Sequence, residues 1–189
     1  MASKFKDEFN KETITKLQKR LKRNNPMNVP RLQKIVVNTS NREFLTDKKN
    51  IERYADEMVT ITGQKPRVAK AKISVATFKL REGDQIGLVS TLRGDRMYDF
   101  FEKLVKIVLP RVKDFSGISR NSFDGHGNMS LGFHEQIVFP EIDSGKVDKI
   151  RSLQMVLVTS AETDEEGLAL LEEMGMPFKK VPVKEELSK

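Results

Sequence analysis

The stretch IGLVSTLRGDRMYDFFEKLVKIVLP (86–110) changes its period part-way along, and that change decides the fold. Ile86, Leu88, Ser90 and Leu92 alternate with Gly87, Val89, Thr91 and Arg93, the two-residue repeat of a strand with one apolar and one mixed face. From Met97 onward, Phe100, Phe101, Leu104, Val105 and Val108 recur at helical spacing. This is the stripe of a helix that buries one side against a sheet, with Asp95 placed to cap it and Pro110 to end it. Arg93, Gly94 and Asp95 have the form of a cell-adhesion tripeptide, but in this setting they read as strand end, turn and helix cap.

Immediately upstream, GQKPRVAKAKISVATFKLR (63–81) carries Lys65, Arg67, Lys70, Lys72, Lys79 and Arg81 without one acid. Its apolar residues are too scattered for a core helix, and Gly63, Pro66 and Gly83 punctuate it, so 63–83 reads as one long basic loop. Small and β-branched residues separate the cations, which lets a backbone follow a groove, and Phe78 offers a ring to a base or sugar. Ordered loops of this length are usually functional.

Further upstream, Ile51, Tyr54, Ala55, Met58 and Ile61 predict a helix, capped at Thr46 or Asp47 and stopped by Gly63. RLQKIVVNT (31–39) is short, β-branched and apolar on both faces, hence a central strand. Residues 3–23 predict an amphipathic helix with Lys16, Lys19, Arg20, Lys22 and Arg23 around its apolar positions. No acid occurs between Glu12 and Glu43, so this helix and the strand after it form an additional basic surface.

Downstream, 111–127 is a glycine-containing loop, after which Met129, Leu131 and Phe133 point one way and Asn128, Ser130 and Gly132 the other. Small polar residues on that second face leave room for a ribose-phosphate backbone, or equally suit plain exposure to solvent. Leu153 to Ser160 is a further strand. Thr163 with Glu166 forms a capping box for a helix lined by Leu170, Leu171 and Met174 and ended by Gly175 and Pro177. Residues 1–178 are expected to form a single domain, and 179–189, with VPVKEELSK at its end, a charged and mobile tail. The element order has too few βαβ crossovers for a doubly wound sheet. The fold class is α+β: one mainly antiparallel sheet, helices packed on one face, and a long basic loop.

The 189 residues contain no cysteine and only two histidines, His126 and His134. Thiolate metal sites are excluded, no nucleophile, base or metal constellation emerges, and neither an enzyme nor a bound cofactor is expected. No run approaches the ~20 apolar residues of a membrane span and MASKFKDEFNK (1–11) lacks a signal-peptide core, so a cytoplasmic protein without membrane contact is expected. From Glu141 onward 11 acidic residues face 7 basic ones, which leaves 27 basic and 16 acidic in the first 140, a net of +11 against −4. A basic body of this kind suits nucleic acid, and on charge alone RNA or DNA outside any larger particle would serve. The acids around Asp164, Glu165 and Glu166 either contact a protein or complement the dipole of the last helix.

Several segments, in order along nearly the whole chain, together resemble one family: ITGQKP (61–66), KAK (70–72) followed by FKLREG (78–83), LRGDRMYDF (92–100), LPRVKDF (109–115), SFDGHGN (122–128), EQIVFPEID (135–143), TDEE (163–166) and GMPF (175–178). The chain is similar to the bacterial-type family of large-subunit ribosomal protein L5. That resemblance implies a monomer within the ribosome that binds 5S rRNA and anchors it in the central protuberance. It also implies contacts with P-site tRNA, 23S rRNA, neighbouring central-protuberance proteins and, across an intersubunit bridge, the small-subunit head protein S-thirteen.

Carried onto this sequence, the 5S rRNA surface comprises Asn38, Gln64, Lys65, Thr91, Arg93, Asn128 and Ser130, and the loop contacting tRNA and 23S rRNA comprises Lys70, Lys72, Phe78, Lys79 and Arg81. Thr39, Ser40 and Asn41 stand where relatives carry glycines, Ile73 and Thr77 where Lys and Gly are common, and His126 where Arg is usual. Thr77 narrows backbone angles that Gly would leave free.

Overall fold

A computed structural model describes residues 13–45, 48–143, 145, 147 and 149–179. Five strands, β1 (Leu32–Ser40), β2 (Arg67–Lys70), β3 (Gln85–Leu92), β4 (Met129–Phe133) and β5 (Leu153–Thr159), form one sheet in the order β2-β3-β1-β5-β4. Every pairing in it is antiparallel. β1 lies at the centre, as its two-sided apolar pattern requires: Ile35 and Val37 are buried on one face while Val36 is half-buried on the other.

Four helices cover one face: α1 (Ile14–Leu21), α2 (Lys48–Thr62), α3 (Asp95–Lys103) and α4 (Asp164–Glu173). Ile35, Val37, Leu88, Leu92, Met129, Leu131, Met155 and Leu157 of the strands meet Leu17 of α1 and Tyr54 and Met58 of α2 in a single core. Phe100 and Phe101 of α3 and Leu170 and Leu171 of α4 complete it. The N-terminal helix predicted from residue 3 is described from Thr13 on, while its earlier part, the Thr46/Asp47 cap and the tail beyond Lys179 lie outside the described residues.

Three expectations are corrected. The stretch 63–83 is not loop throughout, because Arg67–Lys70 is an edge strand paired with β3, Arg67 opposite Val89 and Ala69 opposite Gly87. Four residues that are only half-buried at most carry too little apolar pattern to announce a strand, yet pairing with β3 satisfies the backbone groups on that side. Asp95 does not cap α3: it is the first helical residue, and Gly94, at φ 60°, precedes it without a side-chain cap.

Nor is α3 uniform. It continues through a π-turn, Leu104–Val108, into Leu109–Arg111, and Leu109 N–H donates to Leu104 O. Pro110 has no N–H to give to Lys106 and its ring crowds that carbonyl, so the ladder widens one turn early. Val108 and Leu109 are both buried as a result, while Val105 is only half-buried.

Candidate nucleic-acid interface

The face of the sheet opposite the helices is set by strand register. One row crosses all five strands: Arg67, Val89, Asn38, Gln154 and Gly132, each the Cα partner of the next. A second row runs Thr91, Val36, Val156 and Ser130, and a third Ala69, Gly87 and Ser40. Neutral polar groups and short valines alternate on a floor that no described helix covers. Gly87 is demanded by packing between strands, since a Cβ there would meet Thr39 O at 2.8 Å.

The predicted residues converge on this face unevenly. Asn38, Thr91 and Ser130 lie on it, and among the described residues their side chains have no partner within the chain. Gln64 is brought to its margin, where its side-chain amide donates to Thr91 O at 3.1 Å. Thr62 holds that turn by donating its hydroxyl to Met58 O at 2.6 Å and accepting from Gln64 N–H at 3.2 Å. Lys103 fixes the helix end behind it, with Nζ 2.6 Å from Ile61 O and 2.7 Å from Glu141 Oε1. Lys65 and Arg93 are exposed beside Gln64 and at the end of β3.

Asn128 behaves differently. Its amide donates to Asp124 Oδ2 at 2.8 Å and accepts from Thr159 N–H at 3.1 Å, so it locks the preceding loop to β5. That loop, SFDGHGN, is held from two more sides. Asp164, in the first turn of α4, accepts from Gly125 N–H and Gly127 N–H, and Thr159 donates its hydroxyl to Gly127 O. Asp124 accepts from His126 N–H and Asn128 N–H, and these bonds, led by the Asn128 side chain, hold its carboxyl below the ordinary 3.8. His126 itself is exposed at the apex.

Beyond β2 the chain leaves the sheet as a hairpin, 71–84. Ala71 and Gly83–Asp84 bond across its base, and Val75 and Leu80 exchange both backbone hydrogen bonds nearer its tip. Thr77 sits within a 3-10 turn, Ala76–Phe78, and the left-handed residue is Lys79, at φ 53°. Ile73 and Phe78 are 72% and 65% exposed. Lys70, Lys72, Lys79 and Arg81 are all exposed, and among the described residues none is in an ion pair.

The basic character expected of α1 is only half available. Lys16, Lys19 and Lys22 are exposed, but Arg20 bonds Glu172 at 2.5 Å and Glu173 at 3.4 Å, and Arg23 bonds Glu166 at 2.5 Å. Hydrogen bonding to Glu172 and to Glu166 raises the pKa of Arg20 and Arg23 respectively. Sequence reasoning passed over Lys34, Ser40, Arg67 and Gln154 as members of the open face. The period-2 alternation through Asn38 and through Val156 was the signal that could have found Lys34, Ser40 and Gln154, whereas Arg67 reaches the face only by pairing with Val89.

Comparison with known proteins agrees with this geometry. Residues 25–81 match the family model described as ribosomal protein L5, and residues 85–178 match the model for the C-terminus of the same ribosomal family. A large ribosomal subunit protein uL5 of Chloroflexus aurantiacus is 52% identical over 179 residues, covering 95% of this chain and 99% of the relative. The chain belongs to the ribosomal protein L5 family. Relatives of the same name from Anaeromyxobacter sp. (strain K) and Acholeplasma laidlawii are 51% and 49% identical, each over 95% of this chain and 99% or 100% of their own length. Membership places the chain among structural ribosomal proteins and not among enzymes. No helix among the described residues is long and apolar enough to cross a membrane.

Proposed function

We propose that this L5-family chain is a structural constituent of the large ribosomal subunit that binds 5S rRNA on its open sheet face and anchors it in the central protuberance. The observation that carries the reading is the pairing of two unlike surfaces on one sheet. A helix-free floor presents the side chains of Asn38, Thr91 and Ser130, unpartnered among the described residues, and a projecting hairpin carries Lys72, Lys79 and Arg81, with Lys70 at the end of β2 beside its base, none of them in an ion pair among the described residues.

Fixed neutral groups suit close reading of ribose and base edges, whereas mobile lysines suit phosphate contact of any sequence. The hairpin, with Lys72, Phe78, Lys79 and Arg81, and Lys70 at the end of β2 beside its base, therefore reaches P-site tRNA and 23S rRNA. Gln64, Lys65 and Arg93 border the 5S surface, and Asn128 supports it by shaping the loop ahead of β4. Contacts with neighbouring central-protuberance proteins and with the small-subunit head protein complete the family reading. The test is titration of the purified chain with isolated 5S rRNA against a transfer RNA and a 23S rRNA fragment of similar length. Preference for 5S rRNA at physiological salt is expected, and equal binding of all three would leave only a generic basic RNA binder.

A further inference from the structure

On the open face, a recess of about 460 Å³ lies over β1, β5 and β4, bordered by Asn38, Ser40, Ser130, Gly132, His134 and Gln154. Asn38 and Gln154 are directly paired residues of neighbouring strands, and Gly132 is the partner of Gln154 on the other side. Among the described residues neither amide bonds within the chain, in contrast to Ser40, whose hydroxyl is spent on Ile86 O. A Cβ built on Gly132 would meet nothing within 4 Å, so the end of the row is open space.

Each amide offers one acceptor oxygen and two donor hydrogens, and paired residues on adjacent strands hold their side chains about 5 Å apart. A ligand that displaces water from both must present a donor and an acceptor side by side in one plane. Unpaired bases do this on several edges, and among them the N6 and N7 edge of adenine is the one that Asn and Gln side chains characteristically match. In an RNA duplex that edge lies in a deep, narrow groove closed to side chains, so the base must be unpaired. Lys34 and Arg67 on the same face supply cations for the flanking phosphates. We infer that the recess seats one unpaired adenine of the RNA, read by Asn38 and Gln154 beside the open space left by Gly132. This rests on the proposal that the open face binds 5S rRNA.

The test crosses two changes. 5S rRNA is transcribed with 7-deaza-adenosine, which replaces the N7 acceptor by C–H, and is titrated beside the unmodified RNA against the wild-type chain, Gln154→Ala, Gly132→Val and Thr91→Val. The wild type is expected to lose about tenfold in affinity for the modified RNA. Gln154→Ala and Gly132→Val should lose about as much on unmodified RNA and then fail to distinguish the two RNAs. If the wild type does not discriminate, or if the protein and RNA changes add independently, no adenine is read here. Thr91→Val lies outside the recess and should weaken binding of both RNAs alike. Were it to bind like the wild type, the open-face reading itself would fall, and the inference with it.

Discussion

Arg23, just beyond α1, donates to Glu166 in the first turn of α4 at 2.5 Å, across 143 residues of sequence. Together with the bonds from Arg20 to Glu172 and Glu173, this pair clasps the N-terminal helix to the C-terminal one. Part of the acidic excess that follows Glu141 therefore neutralises part of the basic excess before it, inside the same molecule. Replacing Arg20 and Arg23 by Gln should lower the melting temperature modestly, because exposed ion pairs contribute little, and should leave the salt dependence of 5S rRNA binding unchanged. Lys16, Lys19 and Lys22 have no such partners among the described residues. Their replacement by Ala should flatten the slope of log affinity against log salt by about 0.7–0.9 for each phosphate they contact. Titrations at three salt concentrations separate the two outcomes, and a flattened slope in the arginine variant would show that the clasp opens on RNA.

The acids that begin α4 divide by role. Asp164 accepts from Gly125 N–H and Gly127 N–H, Glu166 holds Arg23, and Glu165 is exposed. Asp164→Ala strands two loop donors and should cost about 2 kcal/mol in denaturant unfolding. Glu165→Lys should cost less, up to about 1 kcal/mol, through the helix dipole alone, and should leave subunit association unchanged. Loss of association in Glu165→Lys at normal stability would instead assign that acid to a protein contact.

Gly127 stands at φ 73°, and a Cβ on it would meet Ala161 Cβ at 2.7 Å and Thr163 O at 2.9 Å. Gly127→Ala should therefore cost about 2–4 kcal/mol, from left-handed backbone strain added to overpacking. Gly125, also at positive φ, has nothing within 4 Å of the same atom, so Gly125→Ala should carry the strain alone, about 1 kcal/mol. Equal losses in chemical denaturation would show that the crowding at 127 relaxes freely.

The Asp124 carboxyl titrates below its ordinary 3.8 because the Asn128 side chain and the backbone N–H groups of His126 and Asn128 bond its charged form. A folded-state value below the unfolded one contributes stability that is present above about pH 4 and is lost as pH falls through the depressed value. Asp124→Asn should remove this acid-side dependence. Melting temperatures from about pH 6 down to about pH 3 should fall less steeply in the variant than in the wild type, and parallel curves would exclude the loop from acid sensitivity.

What the sequence made legible was what periodicity can carry. The alternation at 86–92 and the stripe from Met97 gave a sheet with helices on one face, and β1 announced its central place through Ile35, Val36 and Val37. Three things lay beyond that signal. The edge strand Arg67–Lys70 is too short and too little buried to show a period, and the π-turn before Pro110 depends on a clash that shifts the ladder without changing the residues that line it. The partners of Arg20 and Arg23 are brought near only by the fold. The candidate site fared similarly: Asn38, Thr91 and Ser130 follow from alternation, Gln154 alternates with buried neighbours but is set beside Asn38 only by the register of β1 with β5, and Asn128 leaves them because Asp124 and Thr159 claim its amide.

The open face and the hairpin should fail in different ways when altered. Thr91→Val and Asn38→Ala each remove a neutral group that RNA would bury, and an unmet buried partner costs about 1–3 kcal/mol, roughly one to two decades of affinity. No charge changes, so their salt slopes should match the wild type. The triple variant Lys70→Ala, Lys72→Ala, Lys79→Ala removes cations from the end of β2 and from a hairpin whose base and tip are held by backbone bonds of Ala71, Val75 and Leu80, so its shape should persist. It should bind isolated 5S rRNA nearly as the wild type does, yet retain P-site tRNA poorly in assembled ribosomes if, as proposed, the hairpin supplies phosphate contact there. Binding to purified 5S rRNA at two salt concentrations, beside tRNA occupancy, decides between the surfaces. If the hairpin variant loses 5S rRNA as severely as Thr91→Val, the hairpin is part of the 5S site and the two surfaces are one.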